Sequence, residues 1–350
     1  MFIEIPQYRQ AAEITAAEIP VSGGAVLVTG ADGLIGSCVV DVLIASNRLY
    51  GKNFSIYTMG RREENLFERF GNASDVRFVV QNVADPITIP DLNYIIHAAS
   101  NADPRLYALQ PVETILTNVL GAKSVIEYCR GSSARVLFTS SFEVYGKLEK
   151  EEYAENDFGV IDGNRIRSCY PESKRTAELL FRSAYDEFGV DCVIARLSSV
   201  YGPTMRKDDT KAHAQFLRNG LAGEKIVLKS QGTQRRTYSY VFDIVSGLFT
   251  VLFKGKAGEA YNIANDRSVA TIAEVAQIIA DLVGTEVTYD VPDEIEKKGF
   301  SQPQNCVLIT DKIKSLDWSA KYDLKSGMQE TLAILREYDL LAKKLEISQL

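Results

Sequence analysis

The chain is poor in the residues that build metal sites and catalytic triads. Only two of its 350 residues are histidines, His97 and His213, and its five cysteines are scattered without a CxxC pair. A histidine-rich metal site is therefore excluded, a Ser-His-Asp triad has few candidate histidines, and we expect no metal cofactor. Scattered cysteines are typical of reduced thiols in a cytosol, so we expect a cytoplasmic protein.

Long apolar runs and a basic surface are also missing. The longest apolar stretches run to about ten residues, which is too short to cross a bilayer. The N-terminal stretch carries Glu4, Glu13 and Glu18 and has no basic start before an apolar run, so we do not expect a signal peptide. The net charge is -7 and no basic run stands out, which argues against a nucleic-acid partner.

The chain does have a regular alternation of two kinds of segment. Short apolar runs, the first of them at 25–29, alternate with helix-length segments such as 111–130 and 171–188. This rhythm predicts an α/β fold with a doubly wound parallel sheet, the Rossmann type, because strands buried on both faces are continuously apolar. We also expect a strand at 261–263 that returns to this sheet and a helix at 327–345.

The alternation suggests a division of the chain into three parts. We predict an N-terminal arm, partly helical, then a dinucleotide-binding domain, and then a smaller mixed α/β lobe for substrate. The predicted bounds are 1–24 for the arm, 25–200 with a returning segment at about 237–264 for the binding domain, and 201–236 with 265–350 for the lobe.

A glycine-rich loop follows the first predicted strand. Residues 30–36 read GADGLIG, a GxxGxxG pattern that leads into a helical stretch. Gly30 permits a tight turn, Gly33 lets the backbone approach a pyrophosphate, and Gly36 lets the helix pack closely on the strand. With a strand before it and a helix after it, the loop predicts a bound dinucleotide.

The choice between NAD and NADP stays open at this stage. An acidic residue at the end of the second strand is typical of NAD binding, whereas arginine accommodates the extra phosphate of NADP. Here the second predicted strand is followed by Arg61 and Arg62, with no acidic residue in that place.

A tyrosine and a lysine stand four residues apart at the start of a predicted helix. Pro171 suits a first helical turn, so Tyr170 and Lys174 would share one face of that helix. A nearby ammonium, together with a nicotinamide cation, would lower the pKa of the tyrosine. Tyr170 is then a candidate base for a sugar hydroxyl.

Polar residues also follow the fifth predicted strand. Ser140, Ser141 and Glu143 come at its carboxyl end, and ligands of such sheets bind beyond that edge. Ser141 is placed to hydrogen-bond the same oxygen as Tyr170. We predict that His97, in the fourth strand, packs near the cofactor, and that His213 lies on the surface of the second lobe.

With these motifs in this order, the sequence resembles the extended short-chain dehydrogenase/reductase family of nucleotide-sugar epimerases, dehydratases and decarboxylases. It looks most similar to the UDP-glucuronate decarboxylases, which share the Ser/Thr-x-Glu-Val-Tyr-Gly strand end and an RSCY…KRxAE segment. The resemblance covers about 24–335 and rests on TGADGLIG (29–36), IIHAAS (95–100), TSSFEVYG (139–146), CYPESKR (169–175), ARLSSVYGP (195–203) and QRRTYSYVFDIV (234–245).

The resemblance implies a set of site residues. Catalysis would belong to Tyr170, Lys174, Ser141 and Glu143. A tightly bound NAD, with NADP not excluded, would contact Gly30, Asp32, Gly33, Leu34, Ile35, Gly36, Arg61, Asn82, Val83, Ala98, Ala99, Ser100, Asn118, Ser140, Tyr170 and Lys174. A nucleoside diphosphate sugar would contact Ser141, Phe142, Ser199 and Arg236, the last of these at the phosphates. Segments 111–130 and 171–188 would pair with their copies in a homodimer.

Three positions depart from the family pattern. Phe142 stands where 4,6-dehydratases usually carry an acidic residue, and it cannot donate a proton. Ser199 replaces an asparagine that contacts substrate, and Asn82 replaces an aspartate that meets the adenine. We therefore expect a nucleotide-sugar enzyme that acts through a 4-keto intermediate, first of all a decarboxylase of the UDP-glucuronate type. The alternatives are a 4-epimerase, then an atypical dehydratase, and, in a different class, a non-catalytic NAD(P)-sensing protein.

Overall fold

The computed structural model of the chain describes residues 1–71, 74–300 and 304–348. Residues 301–303 and 349–350, which belong to the predicted lobe, lie outside this range. The strands run β1 Gly24–Thr29, β2 Phe54–Gly60, β3 Val76–Val80, β4 Tyr94–His97, β5 Arg135–Ser141, β6 Glu152–Tyr153, β7 Cys192–Leu197, β8 Ser199–Tyr201, β9 Ile226–Leu228, β10 Arg235–Tyr240, β11 Ala260–Ile263, β12 Val269–Thr271, β13 Val287–Tyr289 and β14 Val307–Leu308.

Helices connect most of these strands. They run α1 Pro6–Ala17, α2 Leu34–Tyr50, α3 Glu63–Phe70, α4 Pro104–Leu109, α5 Pro111–Arg130, α6 Cys169–Phe188, α7 Ala212–Leu221, α8 Val241–Lys254, α9 Ile272–Val283, α10 Glu294–Gly299, α11 Asp311–Lys314 and α12 Leu324–Ser348. Three short 3-10 turns complete the set, at Phe2–Glu4, Phe142–Tyr145 and Ile166–Ser168. Within the described ranges, no helix is both long and apolar enough to cross a membrane.

The main sheet has seven strands in the order β11-β7-β5-β4-β1-β2-β3, and all of their pairings are parallel. Strand order reverses between β1 and β4, which creates a switch point at the carboxyl edge of the sheet. The predicted doubly wound Rossmann fold is confirmed, and so are the returning strand β11 and the C-terminal helix α12. Smaller sheets (β12-β10-β8, β13-β9 and β14-β6) are built largely from residues after 198. The division of the chain into lobes remains a prediction.

Both faces of the main sheet are covered by helices, and this explains its apolar strands. Neighbouring residues on one strand point to opposite faces. Accordingly Ile95 packs with α5 and α6, whereas Ile96 packs with α2 and α8. Val136 and Leu137 divide in the same way. Because both faces are dry, the rigid edge of the sheet is the place where polar groups can meet a ligand.

The N-terminal arm is an integral part of the core. Its helix α1 packs on α2, and the hydroxyl of Tyr8 donates to Asp41 Oδ2 at 2.6 Å. Arg69 on α3 pairs with the same carboxylate, and both side chains are buried, at 10% and 2% exposure. Phe2 stacks on Tyr338 of α12 with ring centres 4.3 Å apart. The arm therefore ties α2, the helix that follows the glycine loop, to α3 and α12.

We predict that Arg69→Met strongly destabilises the fold, because it leaves the Asp41 carboxylate buried without its cation. Breaking a buried pair in this way costs about 3–5 kcal/mol. Urea unfolding followed by circular dichroism measures the change. Arg48→Met is the matched control, since Arg48 pairs with Asp75 at the surface and such pairs are worth about 1 kcal/mol or less. Equal effects of the two substitutions would contradict the assignment of Asp41 and Arg69 as a buried pair.

Candidate functional site

The glycine loop is shaped so that little except hydrogen fits at two of its positions. Gly30 has a φ of +65°, and a Cβ there would lie 2.7 Å from the Cα of Ala99. A Cβ on Gly36 would overlap the carbonyl oxygen of Gly30. The helix α2 begins directly after Gly33, and no side chain caps its first turn. Its first amide groups suit an anion, so the loop fits the pyrophosphate of a dinucleotide.

Two further residues of the loop, Asp32 and Leu34, contact the segment after β8. The carboxylate of Asp32 accepts from Asn65 Nδ2 at 3.0 Å, and it lies 3.7 Å from Arg206 Nη1. The carbonyl of Leu34 accepts from the hydroxyl of Thr204 at 2.8 Å. The loop is thus fastened on the side where the predicted lobe begins.

The predicted cofactor residues after β2 and β3 stand at the same sheet edge. Arg61 is exposed and pairs with Glu113 on α5 at 3.4 Å. The amide oxygen of Asn82 accepts from the backbone N–H of Ala84, two residues later, at 3.0 Å. Val83 is buried. Asn82 therefore braces a turn, and its amide oxygen is already engaged within the chain.

A chain of hydrogen bonds joins the end of β4 to the tyrosine helix. Ala98 and Ala99 follow β4 directly, and the hydroxyl of Ser100 donates to Asn118 Oδ1 at 2.8 Å. Asn118 Nδ2 donates to the hydroxyl of Ser173 at 2.8 Å, and that hydroxyl donates to the Tyr170 carbonyl at 2.9 Å. These contacts set the height of α6 relative to the glycine loop.

The predicted lysine lies under the sheet edge. Lys174 is 2% exposed, and its ammonium donates to the carbonyl of Thr139 at 2.9 Å, above the ring of Phe138. Burial lowers the pKa of Lys174 to about 7. The Thr139 carbonyl and the face of the Phe138 ring stabilise the charged form of Lys174, whereas burial disfavours it.

The predicted tyrosine lies one helical turn earlier and next to Ser141. Burial, and then the charge of Glu143, raise the pKa of Tyr170 to about 12, although hydrogen bonding to Ser141 opposes the rise. The expected lowering of this pKa depends on a bound nicotinamide cation as well as the ammonium, and it stays a prediction. Desolvation outweighs the nearby cations. A nicotinamide cation bound beside the phenol would act in the opposite direction.

Ser140 and Ser141 have different surroundings although they are neighbours on β5. The hydroxyl of Ser140 donates to Glu178 Oε1 inside the core, where Glu178 also pairs with Arg196 at 2.7 Å. Any contact of Ser140 with the cofactor would therefore use its backbone. The hydroxyl of Ser141 accepts from the N–H of Glu143 at 3.2 Å and caps the short turn that follows.

The predicted substrate residues come together from distant parts of the chain. The guanidinium of Arg236, on β10, lies 5.5 Å from the ring centre of Phe142. Ser199, on β8, pairs in register with Tyr238 of the same β10 strand. Arg236 thus reaches the turn that carries Phe142 and Glu143, while Ser199 lies one strand away.

The structure agrees with the prediction for one of the two histidines and contradicts the prediction for the other. His97 is fully buried, contacts the Thr29 hydroxyl at 2.9 Å and stacks on Phe138, which fits the predicted packing role. Burial and the charge of Lys174 lower its pKa to about 3, so the ring is neutral. For His213 the surface prediction is wrong. It is 7% exposed and meets the ring of Tyr238 edge-on, because α7 packs this face inward.

Two residues beside Tyr170 were missed by sequence reasoning. Nη2 of Arg167 lies 2.7 Å from both carboxylate oxygens of Glu143. The guanidinium stands 4.4 Å over the Tyr107 ring, and the Tyr107 and Tyr170 rings stack 4.7 Å apart. The RSCY segment of the sequence, which includes Arg167, could have pointed to that residue. No sequence pattern pointed to Tyr107 on α4.

The fold and the glycine loop define a dinucleotide-binding α/β protein. Residues 26–264 match the NAD dependent epimerase/dehydratase family. UDP-glucuronic acid decarboxylase 6 of Arabidopsis thaliana is 31% identical over 303 residues, which cover 87% of this chain and 86% of that protein. UDP-glucuronic acid decarboxylase 1 of Xenopus tropicalis is 28% identical, with 89% and 72% covered.

Solved structures share the fold. A UDP-glucuronic acid 4-epimerase from Bacillus cereus, solved with UDP-glucuronic acid and NAD, superposes with a TM-score of 0.76 at 20% identity, covering 90% of this chain and 99% of that one. A dTDP-glucose 4,6-dehydratase from Bacillus anthracis, solved with NAD, gives 0.75 at 23%, covering 91% and 98%. The chain belongs to the NAD dependent epimerase/dehydratase family, and its cofactor is NAD.

We predict that Gly36→Ala lowers the NAD content of the purified protein by about tenfold or more, because the new methyl group displaces the carbonyl of Gly30 from the loop. Release of bound NAD by acid and its quantification measure the change. Gly163→Ala is the control, since a Cβ at Gly163 meets no atom within 4 Å. Full NAD content in the Gly36 variant would contradict the assignment of the loop as the pyrophosphate site.

Proposed function

We propose that this protein decarboxylates a nucleoside diphosphate hexuronic acid, with UDP-glucuronate as the first candidate, through a 4-keto sugar. The observation that carries the proposal is the composition of the turn after β5. Ser141 and Glu143 stand beside Tyr170, and Phe142 occupies the place of a dehydratase acid. The relatives that are 31% identical are decarboxylases of UDP-glucuronic acid, which supports the same choice.

The proposed first step is the oxidation of the C4 hydroxyl. Tyr170, as phenolate, takes the hydroxyl proton, and Ser141 hydrogen-bonds the same oxygen and holds it in place. The buried ammonium of Lys174, one turn along the helix, favours the phenolate. The glycine loop would hold NAD, and the bound NAD would supply the redox chemistry, as acceptor and later donor of the C4 hydride.

The C4 ketone makes the C5 carboxylate a β-keto acid. The bond between C5 and C6 breaks, carbon dioxide leaves, and the electron pair enters an enolate across C5 and C4. Tyr170, protonated by the first step, and Ser141 donate hydrogen bonds to the enolate oxygen. A proton from solvent, relayed through Glu143, is then delivered to C5. Reduction of the C4 ketone and return of the Tyr170 proton to its oxygen would complete the turnover.

The site at the diphosphate would be formed by Arg236. Its planar guanidinium suits phosphate oxygens, and its approach to the ring of Phe142 orients it at the sheet edge. The predicted alternative, a 4-epimerase, uses the same Tyr170 and Lys174 and differs only in what happens after oxidation.

We also propose a cytoplasmic location, supported by five cysteines that are all unpaired and buried.

We predict that the purified protein, without added cofactor, converts UDP-glucuronate to a product lighter by the mass of carbon dioxide. Mass spectrometry of the nucleotide sugar measures this. Tyr170→Phe should abolish the conversion while retaining bound NAD, because it removes the ionisable oxygen and keeps the ring. An unchanged mass, with a new stereoisomer in the NMR spectrum, would contradict decarboxylation and favour the epimerase.

We further propose a homodimer in which α5 and α6 pair with their copies. Apolar side chains on these helices, which pack against each other, are 39–67% exposed: Val112, Leu116, Leu120 and Leu179. Such a stripe suits a self-complementary, two-fold contact.

We predict that the double change Leu116→Asp and Leu179→Asp yields a folded monomer in sedimentation equilibrium, because it places charge in that stripe. Leu49→Asp, on an exposed end of α2, is the matched control and should sediment as the native protein does. A native protein that is monomeric at micromolar concentration would refute this contact.

A further inference from the structure

A hexuronate brings a difficulty to this site. Its C5 carboxylate must come close to C4, and C4 must lie within reach of Tyr170. Glu143 already lies close to Tyr170, since Arg167 bonds Glu143 at 2.7 Å and its guanidinium stands 5.9 Å from the centre of the Tyr170 ring. Two carboxylates in a partly dry pocket repel each other unless a cation serves both. A site built for an acidic sugar therefore needs a cation that a site for neutral sugars does not.

Arg167 is the cation that stands at this point. Its Nη2 lies 2.7 Å from both oxygens of Glu143, and the two side chains are only 9% and 18% exposed. The guanidinium is stacked over Tyr107, which is itself stacked on Tyr170. Arg167 also precedes Tyr170 by three residues, in the turn that leads into α6. Its position is thus tied to the reacting phenol from two sides.

We propose that Arg167 determines specificity for an acidic sugar. In the absence of substrate it neutralises Glu143; when a hexuronate binds, the guanidinium divides its donors between Glu143 and the C5 carboxylate. Arginine suits this exchange because its planar fork can bind two carboxylates along different edges. The inference rests on the proposed function in one respect, namely that the acid is a nucleotide hexuronate.

Arg167 also acts on Tyr170, and this gives a measurement that needs no substrate. The polar and charged groups that act on the phenol come from four elements: Tyr107 from α4, Ser141 from the end of β5, Glu143 from the 3-10 turn after it, and Arg167 from the turn before α6. Lys174, one turn along α6, donates to the carbonyl of Thr139. Glu143 raises the pKa of Tyr170 and Arg167 lowers it. Removal of Arg167 leaves Glu143 unopposed, so the pKa of Tyr170 should rise.

The test compares four forms of the holoenzyme. They are the native protein, Arg167→Met, the double variant Arg167→Met with Glu143→Gln, and Arg165→Met as the matched control two residues away. Calorimetry on the Tyr170→Phe counterpart of each form, which retains NAD without converting the substrate, gives the Kd for UDP-glucuronate and for UDP-glucose, which lacks the carboxylate. Ultraviolet difference titration of each form against its Tyr170→Phe counterpart gives the ionisation of Tyr170.

We expect Arg167→Met to raise the Kd for UDP-glucuronate by about 30-fold or more and the Kd for UDP-glucose by about threefold or less. The Tyr170 ionisation should move to higher pH in this variant and return toward the native value in the double variant, where both charges are gone. Arg165→Met should change neither quantity. Arg167→Lys, which keeps the charge without the fork, should preserve the Tyr170 ionisation and lose part of the selectivity. It is the variant to use if Arg167→Met does not fold.

Two results would overturn the inference: an equal loss of affinity for both nucleotides, or a pKa of Tyr170 that does not change when Arg167 is removed. Failure of the proposed function looks different. A native protein that releases no carbon dioxide, yet binds UDP-glucuronate through Arg167 as described, would leave the inference standing and redirect the chemistry to another reaction of an acidic sugar.

Discussion

The buried ammonium of Lys174 is the constraint on which the rest of the site depends. Taking a charge out of water is expensive, and here the carbonyl of Thr139 and the ring of Phe138 offset that cost. Both belong to β5, so the stabilisation is obtained only when α6 lies at one height over the end of that strand. Tyr170 is one turn away on the same helix, and its position beside Ser141 follows from this geometry.

The surroundings of the site divide into a fixed side and an exchangeable side. On the fixed side, Asn118 and Ser173 join α5 to α6, and Glu178 with Arg196 fills the core behind β5. On the exchangeable side, the pair Glu143–Arg167 faces the place where the sugar would bind. The fixed groups set distances, while the pair holds charges that a bound acid can redistribute. This division explains why the polar groups behind Tyr170 are buried and hydrogen-bonded to one another, while the pKa of the phenol itself remains high.

Much of the fold was predictable from the sequence because its signals are local. The strands of the main sheet are largely apolar, two glycines of the loop have a steric reason, and Tyr170 with Lys174 shares a helix face at a fixed spacing. The contacts that were missed join residues far apart in the chain. Tyr107 meets Tyr170 across more than sixty residues, and Arg69 finds Asp41 from a different helix. His213 was misjudged because the burial of one polar residue depends on which strand packs over its helix. The raised pKa of Tyr170 in the protein alone was not predicted, because nearby cations are visible in a sequence and desolvation is not.

The central claim is that the sugar is oxidised and reduced at C4 by one cofactor that stays in place. The most direct measurement uses UDP-glucuronate carrying deuterium at C4, incubated with the holoenzyme in ordinary water without added NAD. The account predicts that carbon dioxide is lost and that the pentose product retains its deuterium at C4, because the same hydride leaves and returns. A decarboxylated product without deuterium, or conversion that stops unless NAD is supplied, would contradict it.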